Sequence, residues 1–204
     1  RSLVGHLAGA VNGASIVRGT SFLREKMGEQ VFAPNIRISD DPHIVRGAAS
    51  RPFDAEGVGG SAFDLVNQGR ISSWLLDSTN AKQLDMQTNG RASRGGSSTS
   101  PSSSNLVLHP GDRTPEDMMA SIGTGLLVTE LIGQGVSLVT GDYSRGASGF
   151  WIENGEIAFP VSEITIASNL TDMFAAMEPA TDIDRRQSIA APSILIEGMT
   201  LAGK

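Results

Sequence analysis

Apolar positions along this chain follow two rhythms. At the start Leu3, Val4, Leu7, Ala8 and Val11 recur at helical spacing with no capping residue ahead of them, so residues 1 to 13 read as mid-helix. Thr20 or Ser21 then stands as the cap of a short helix through Phe22, Leu23 and Met27. Beyond it the spacing shortens to alternation. Ile36 and Ile38 alternate with polar neighbours as an edge strand does, and Ala62–Val66 and Ile71–Leu76 flank Asn67-Gln68-Gly69 as a hairpin. Ser78 opens a short helix through Ala81 and Leu84. Thr114-Pro115-Glu116-Asp117 is a helix start with Thr at the N-cap, Pro at the first helical position and acids at the positive end of the dipole. That helix is predicted to run to Ile122, where Gly123 and Gly125 break it. Leu126 to Val139 reads as buried strand with a bend at Glu130, Gly133 and Gly135.

The clearest local signal is Asn154-Gly155, which joins Phe150–Glu153 to Glu156–Phe159. This pair supplies the two positive φ angles of a type I′ turn, so a hairpin is predicted. Pro160 cannot donate to a ladder and should end the second strand or sit on an edge. Ahead of the hairpin, Gly141, Gly146 and Gly149 frame Asp142, Tyr143, Ser144, Arg145 and Ser148 in what reads as a polar loop. Such a loop is either a connection that turns sharply or a place where backbone approaches a ligand or partner. Thr165–Ser168 continues the sheet, Asn169 caps a turn of helix through Met173 and Phe174, and Ile194–Ile196 with Met199–Leu201 form a last strand pair or one bulged strand. Together the pattern predicts an α+β domain with a mainly antiparallel β-sheet and a few short helices.

Composition narrows the function classes. At 204 residues with 39% hydrophobic residues the chain can bury a substantial core, and residues 1–204 read as one domain, a fragment with an N-terminal part outside it. No run of about 18 apolar residues occurs, which argues against a membrane-spanning helix. A net charge of -6 argues against nucleic acid as a partner, since phosphate neutralisation needs clustered Lys and Arg. The one basic run, Arg91 with Arg94, falls in residues 88–105, a Ser- and Gly-rich stretch read as a mobile surface loop that buries almost nothing.

The chemical inventory is short. There is no cysteine, and His6, His43 and His109 are the only histidines; no two stand at helical metal-ligand spacing, so neither a thiolate nor a zinc site made by this chain alone is expected. His43, after Asp40-Asp41-Pro42, and His109, before Pro110, read as loop residues. Ser148 in Gly146-Ala-Ser-Gly149 does not match the Gly-x-Ser-x-Gly nucleophile elbow. Asp54 and Glu56, two apart, are either paired carboxylates for acid–base work or loop acids and caps. No catalytic residue is assigned.

Set side by side, these residues resemble the C-terminal part of the TldE/PmbA branch of the TldD/PmbA family, whose members are also described as candidate modulators of DNA gyrase. The resemblance rests on Thr140-Gly-Asp-Tyr-Ser-Arg-Gly-Ala-Ser-Gly-Phe-Trp-Ile-Glu-Asn-Gly-Glu-Ile, on Pro160-Val-Ser-Glu-Ile-Thr-Ile-Ala and on Asn169-Leu-Thr-Asp-Met-Phe. Weaker anchors are Ser21-Phe-Leu, Pro52-Phe-Asp-Ala-Glu-Gly-Val, Gly125-Leu-Leu-Val-Thr-Glu-Leu and Ala191-Pro-Ser-Ile-Leu-Ile-Glu-Gly-Met-Thr. The family implies a cytoplasmic, heteromeric metallopeptidase in which a TldD-like subunit carries zinc through a His-Glu-x-x-x-His helix and a distant cysteine. Against that motif this chain reads Arg1-Ser2-Leu3-Val4-Gly5-His6, which keeps His6 alone. The resemblance therefore implies a non-catalytic, TldE-like subunit that binds no zinc itself. Its expected partners are a TldD-like subunit, an unfolded protein or peptide substrate and, when alone, a second copy. Substrate or partner contacts are assigned to Asp142, Tyr143, Ser144, Arg145 and Ser148. A binding module acting on gyrase and a stand-alone hydrolase using His6 or Ser144 and Ser148 are the alternatives.

Overall fold

In a computed structural model that describes residues 1–203, the opening helical rhythm becomes α1 (Ser2–Ala10), which buries Val4, Leu7 and Ala10. It leads into α2 (Gly13–Arg18), where the Asn12 side chain accepts the Ala14 N–H as N-cap and Gly19 ends the helix in the left-handed region. The helix predicted after Thr20 is instead a run of turns. Ser21 is buried, donating its hydroxyl to the Ala10 carbonyl at 2.6 Å and accepting the Leu23 N–H at 3.1 Å, so it ties a turn to α1.

The first sheet is built from β1 (Ile38–Asp41), β2 (Phe63–Asn67) and β3 (Arg70–Ile71). The predicted hairpin forms: Gln68 and Gly69 take positive φ, and Val66 pairs with Ile71. Then come α3 (Ser78–Gln83), capped by Asp77 rather than Ser78, the hairpin of β4 (Ala92–Gly95) and β5 (Ser98–Pro101), and β6 (Asn105–Leu108). β6 lies beside β1, whose other neighbour is β2. β1 is thus central in a five-stranded sheet, not an edge, and Ile36 and Ile38 are 1% exposed.

Residues 88–105 do not bury almost nothing. Arg91 is wholly buried, stacks on the Phe63 ring at 4.7 Å, and donates to the Asp40 carboxylate and to the Ser61 carbonyl at 2.8 Å. Asp40, equally buried, also accepts the Ser104 N–H at 2.7 Å and the Ser104 hydroxyl at 2.6 Å. A buried ion pair persists only when its remaining donors and acceptors are met, and the Ser-rich segment meets them here. Arg94, by contrast, is exposed.

The second sheet follows α4 (Pro115–Ile122), which starts at the predicted Thr114 N-cap, and the Asp117 side chain bonds back to the Thr114 N–H to complete a capping box. Its strands are β7 (Gly125–Ile132), β8 (Asp142–Glu153) and β9 (Glu156–Asn169). Asn154 and Gly155 have φ 52 and 80, so the predicted type I′ hairpin stands. Pro160 lies within β9 rather than at its end, beyond the part of the strand that pairs on its outer side. β7 is half-buried to exposed and not buried as expected, with a bulge between Val128 and Glu130.

After Asn169 caps α5 (Leu170–Ala176), β10 (Met177–Pro179), β11 (Ile189–Ala190), β12 (Ile194–Ile196) and β13 (Thr200–Ala202) close the fold. β12 and β13 do not pair with each other. β12 pairs with β10, β13 adds to β9, and β11 joins β6 as the one parallel neighbour in the first sheet. One apolar core joins both sheets: Leu65, Leu106 and Leu108 of the first meet Tyr143, Ala147 and Ile166 of the second, together with Leu7 and Phe174 from α1 and α5. The fold is α+β with mostly antiparallel sheets.

Candidate functional site

The segment read as a glycine-rich loop is the first half of β8, an interior strand of its sheet. Residues two apart on a strand share a face, so Tyr143, Arg145 and Ala147 point to the core while Ser144 and Gly146 point away. Gly146 and Gly149 serve pairing rather than turning, whereas Gly141, at φ 83, closes the turn ahead of the strand. A Cβ on Gly149 would lie 1.9 Å from the Leu127 carbonyl oxygen, so glycine alone lets β7 approach at that bulge.

The five candidates therefore divide. Asp142 is exposed and accepts from the Thr140 hydroxyl at 2.6 Å and the Asn169 amide at 3.4 Å. Ser144 is exposed, its backbone N–H held by the Gly135 carbonyl at 2.7 Å. Ser148, at a bulge opposite β9, donates its hydroxyl to the Glu130 carboxylate at 3.5 Å. Tyr143 is 3% exposed, which makes it a core residue whose ring is out of reach of a ligand at the surface. Arg145 is half-buried and reaches under the sheet to the Leu131 carbonyl on β7 at 3.3 Å.

His6 joins two of these residues. α1 sets its ring edge-on to Tyr143, with centroids 6.1 Å apart and planes at 77°. Burial lowers the His6 pKa, and the Arg145 guanidinium lowers it further. Burial raises the Tyr143 pKa, with Arg145 opposing. His6 Nε2 and Arg145 Nε are buried and have no hydrogen-bond partner among the described residues. This surrounding does not suit zinc: a cation on His6 would face a guanidinium, and among the described residues no group of three His, Cys, Asp or Glu side chains converges.

The other sequence candidates act locally. His43 is exposed, with Nε2 2.7 Å from the Gly60 carbonyl. Asp54 is buried and accepts the N–H groups of Glu56, Val58 and Ala92. Glu56 accepts the Ser78 N–H and the Thr99 hydroxyl, and the Ser78 side chain, ahead of its N–H, leads the lowering of its pKa. These two acids hold loops. His109 is half-buried with Nε2 2.9 Å from the Ser39 hydroxyl, a pairing across 70 positions that nothing in the sequence announces.

No helix among the described residues is long and apolar enough to cross a membrane. The model of the PmbA/TldA metallopeptidase C-terminal domain matches residues 1–203. The Metalloprotease PmbA of Escherichia coli O157:H7 is 44% identical over 203 residues, covering 99% of this chain and 43% of that protein. The chain thus spans less than half the length of this curated relative. A candidate modulator of DNA gyrase from Thermotoga maritima superposes with TM-score 0.89 at 31% identity, over 98% of this chain and 47% of its own. TldE from Thermococcus kodakarensis, at 24% identity, shares the fold, with TM-score 0.87 over 98% of this chain and 48% of its own.

Proposed function

From the premise that this chain belongs to the PmbA/TldA metallopeptidase C-terminal domain family, we propose that it is part of a TldE-like subunit that binds no zinc and works with a zinc-carrying TldD-like partner. The pair would cut unfolded peptides and small proteins in the cytoplasm, with this chain helping to enclose a peptide-cutting chamber of the partner. The observation that carries the reading is the surrounding of His6. The one histidine left of the zinc motif lies against Tyr143 and Arg145, with Arg1 and Ser2 where the motif has its first ligand and its base. Catalytic zinc takes three protein ligands and an open position, and a lone imidazole beside a guanidinium offers neither.

The outer edge of β7 supports a role facing peptide. Among the described residues it has no strand partner in the sheet order, so an extended chain could add there through main-chain hydrogen bonds. The exposed candidates Asp142 and Ser144 lie on the neighbouring strand.

The test is metal content and peptide cleavage by the full-length protein, alone and mixed with a TldD-like protein. Zinc and cleavage should follow the partner, and mixing should raise cleavage. Stoichiometric zinc on this protein alone, or cleavage by it alone, would overturn the reading. A second reading, a module acting on DNA gyrase, draws on the description of the Thermotoga neighbour. Retention of gyrase but of no TldD-like protein in a pull-down would favour it.

A further inference from the structure

The outward face of the first sheet carries a groove of about 500 Å³ that none of the preceding roles uses. Alternation along β1 turns Ile38 and Asp40 inward, so Arg37, Ser39 and Asp41 face out. Strand pairing sets Asp64 of β2 and Val107 of β6 on either side of Ser39, and His109 follows Val107 on the same face. The His109 N–H bonds the Arg37 carbonyl at 3.0 Å, which fixes the imidazole over β1.

Three features make this a built site. Ser39 Oγ and His109 Nε2 stand 2.9 Å apart. Arg37 uses only Nε on Asp64, at 3.0 and 3.1 Å, and its two terminal nitrogens make no hydrogen bond among the described residues. Arg185, from the loop before β11, lines the same groove and forms neither an ion pair nor a side-chain hydrogen bond among the described residues. Two guanidinium groups with unused donors, an imidazole and a hydroxyl therefore converge, an arrangement suited to a planar anion. Ile44 and Phe63 add apolar wall, and Asp41 and Asp64 stand at the same groove as acceptors for N–H groups. A ligand with one anionic end, an amide N–H and an apolar side chain matches all of these at once.

We infer that this groove binds the carboxylate end of a short peptide, with Arg185, Arg37, His109 and Ser39 on the carboxylate and Ile44 and Phe63 on the last side chain. Burial first, then Arg37 and Arg185, lower the His109 pKa, while Asp64 acts the other way. A bound carboxylate offsets the two arginines, so binding takes up a proton and tightens as pH falls through the histidine range. Asp41 and Asp64 are the carboxylates that face the same groove. The inference rests on the groove alone and stands or falls independently of the subunit role.

The probe is N-acetylalanyl-leucine, titrated against the chain by calorimetry and by the His109 ring signal in NMR. The free acid should bind saturably and shift that signal. Its C-terminal amide should bind at least about tenfold more weakly, the usual scale for a charge-assisted hydrogen bond. An amidated peptide with an internal glutamate separates the two carboxylate sources: weaker binding than the free acid supports recognition of a chain end, and equal binding overturns it. Arg185→Ala, at an exposed position, should lose a similar factor, whereas Arg186→Ala, whose side chain is engaged by Asp184, should bind as the parent does. His109→Asn should bind more weakly and lose the pH dependence. The inference is overturned if the amide binds as tightly as the acid, if Arg185→Ala is without effect, if inorganic phosphate displaces the peptide better than acetate, or if millimolar peptide leaves the His109 signal unmoved.

Discussion

His6 sits where α1 meets β8, and its protonation state is coupled to that packing. Its pKa is lowered by burial first and by Arg145 second, so the folded protein holds this proton less tightly than the unfolded chain does. The unfolded chain begins to take up the proton near pH 6.5, and below that the folded state loses stability; above it the contribution is complete. The urea midpoint should therefore be lower at about pH 5.5 than at about pH 7.5, an interval above the range in which ordinary carboxylates titrate. His6→Gln should shrink the drop without removing it, because His109 is lowered in the same sense. A variant with the full parental drop would show that His6 carries no such coupling. Single residues were the hardest part to read from sequence. Arg91 lies among Ser and Gly and reads as solvated, yet its partner Asp40 is 51 positions away and no local pattern links them. Tyr143 and Arg145 read as contact residues of a polar loop, but they lie on the core side of β8, and their place beside His6 depends on how α1 is laid against the second sheet.

Elements whose cause is local were readable, and those whose cause is a neighbour were not. The Thr114 capping box and the Asn154-Gly155 turn are set by residues within a few positions of each other, and both form. The first half of β8 reads as a loop because its Gly, Ser and Asp have low strand propensity, whereas Phe150–Glu153 reads as strand and is. Pairing along nearly its whole length with β9 and β7 overrides that preference. The hairpin turn also has a tertiary duty. Gly155, at φ 80, bonds the Gly123 carbonyl at the end of α4, and a Cβ on it would lie 2.8 Å from the Ala120 Cα. Gly96, at φ 82 in the β4–β5 turn, has nothing among the described residues within 4 Å of such a Cβ. Gly96→Ala should cost about 1–2 kcal/mol from the left-handed backbone alone. Gly155→Ala should cost that plus a steric term of about 1–3 kcal/mol. Urea denaturation of the two variants measures the difference, and equal losses would mean that α4 yields to the added methyl group.

At the scale of the molecule, the assignment of strands to sheets lay beyond the sequence. Ile194–Ile196 and Met199–Leu201 read as one strand pair or one bulged strand, but a turn at Glu197-Gly198 sends β13 to β9 while β12 stays with β10. Hydrophobic alternation marks a strand's two faces and is silent about which edge it meets. What unites the sheets is a shared interior: Phe174 of α5 stacks on Phe32 at 4.7 Å, and Tyr143 and Ile166 of the second sheet belong to the same cluster as Leu65 and Leu106 of the first. A chain with one core should unfold in one cooperative step. The two tryptophans test this, since Trp74 is buried in that shared cluster beyond β3 and Trp151 is half-buried on β8. Followed by fluorescence in urea, Trp151→Phe reports through Trp74 and Trp74→Phe through Trp151. Each variant's fluorescence midpoint should coincide with its own circular dichroism midpoint. If the Trp151 signal instead changes at lower urea than the circular dichroism of the same variant, the second sheet opens first. The β7 edge proposed to meet peptide would then belong to a separately unfolding unit, and its accessibility would be set by that opening rather than by the folded surface.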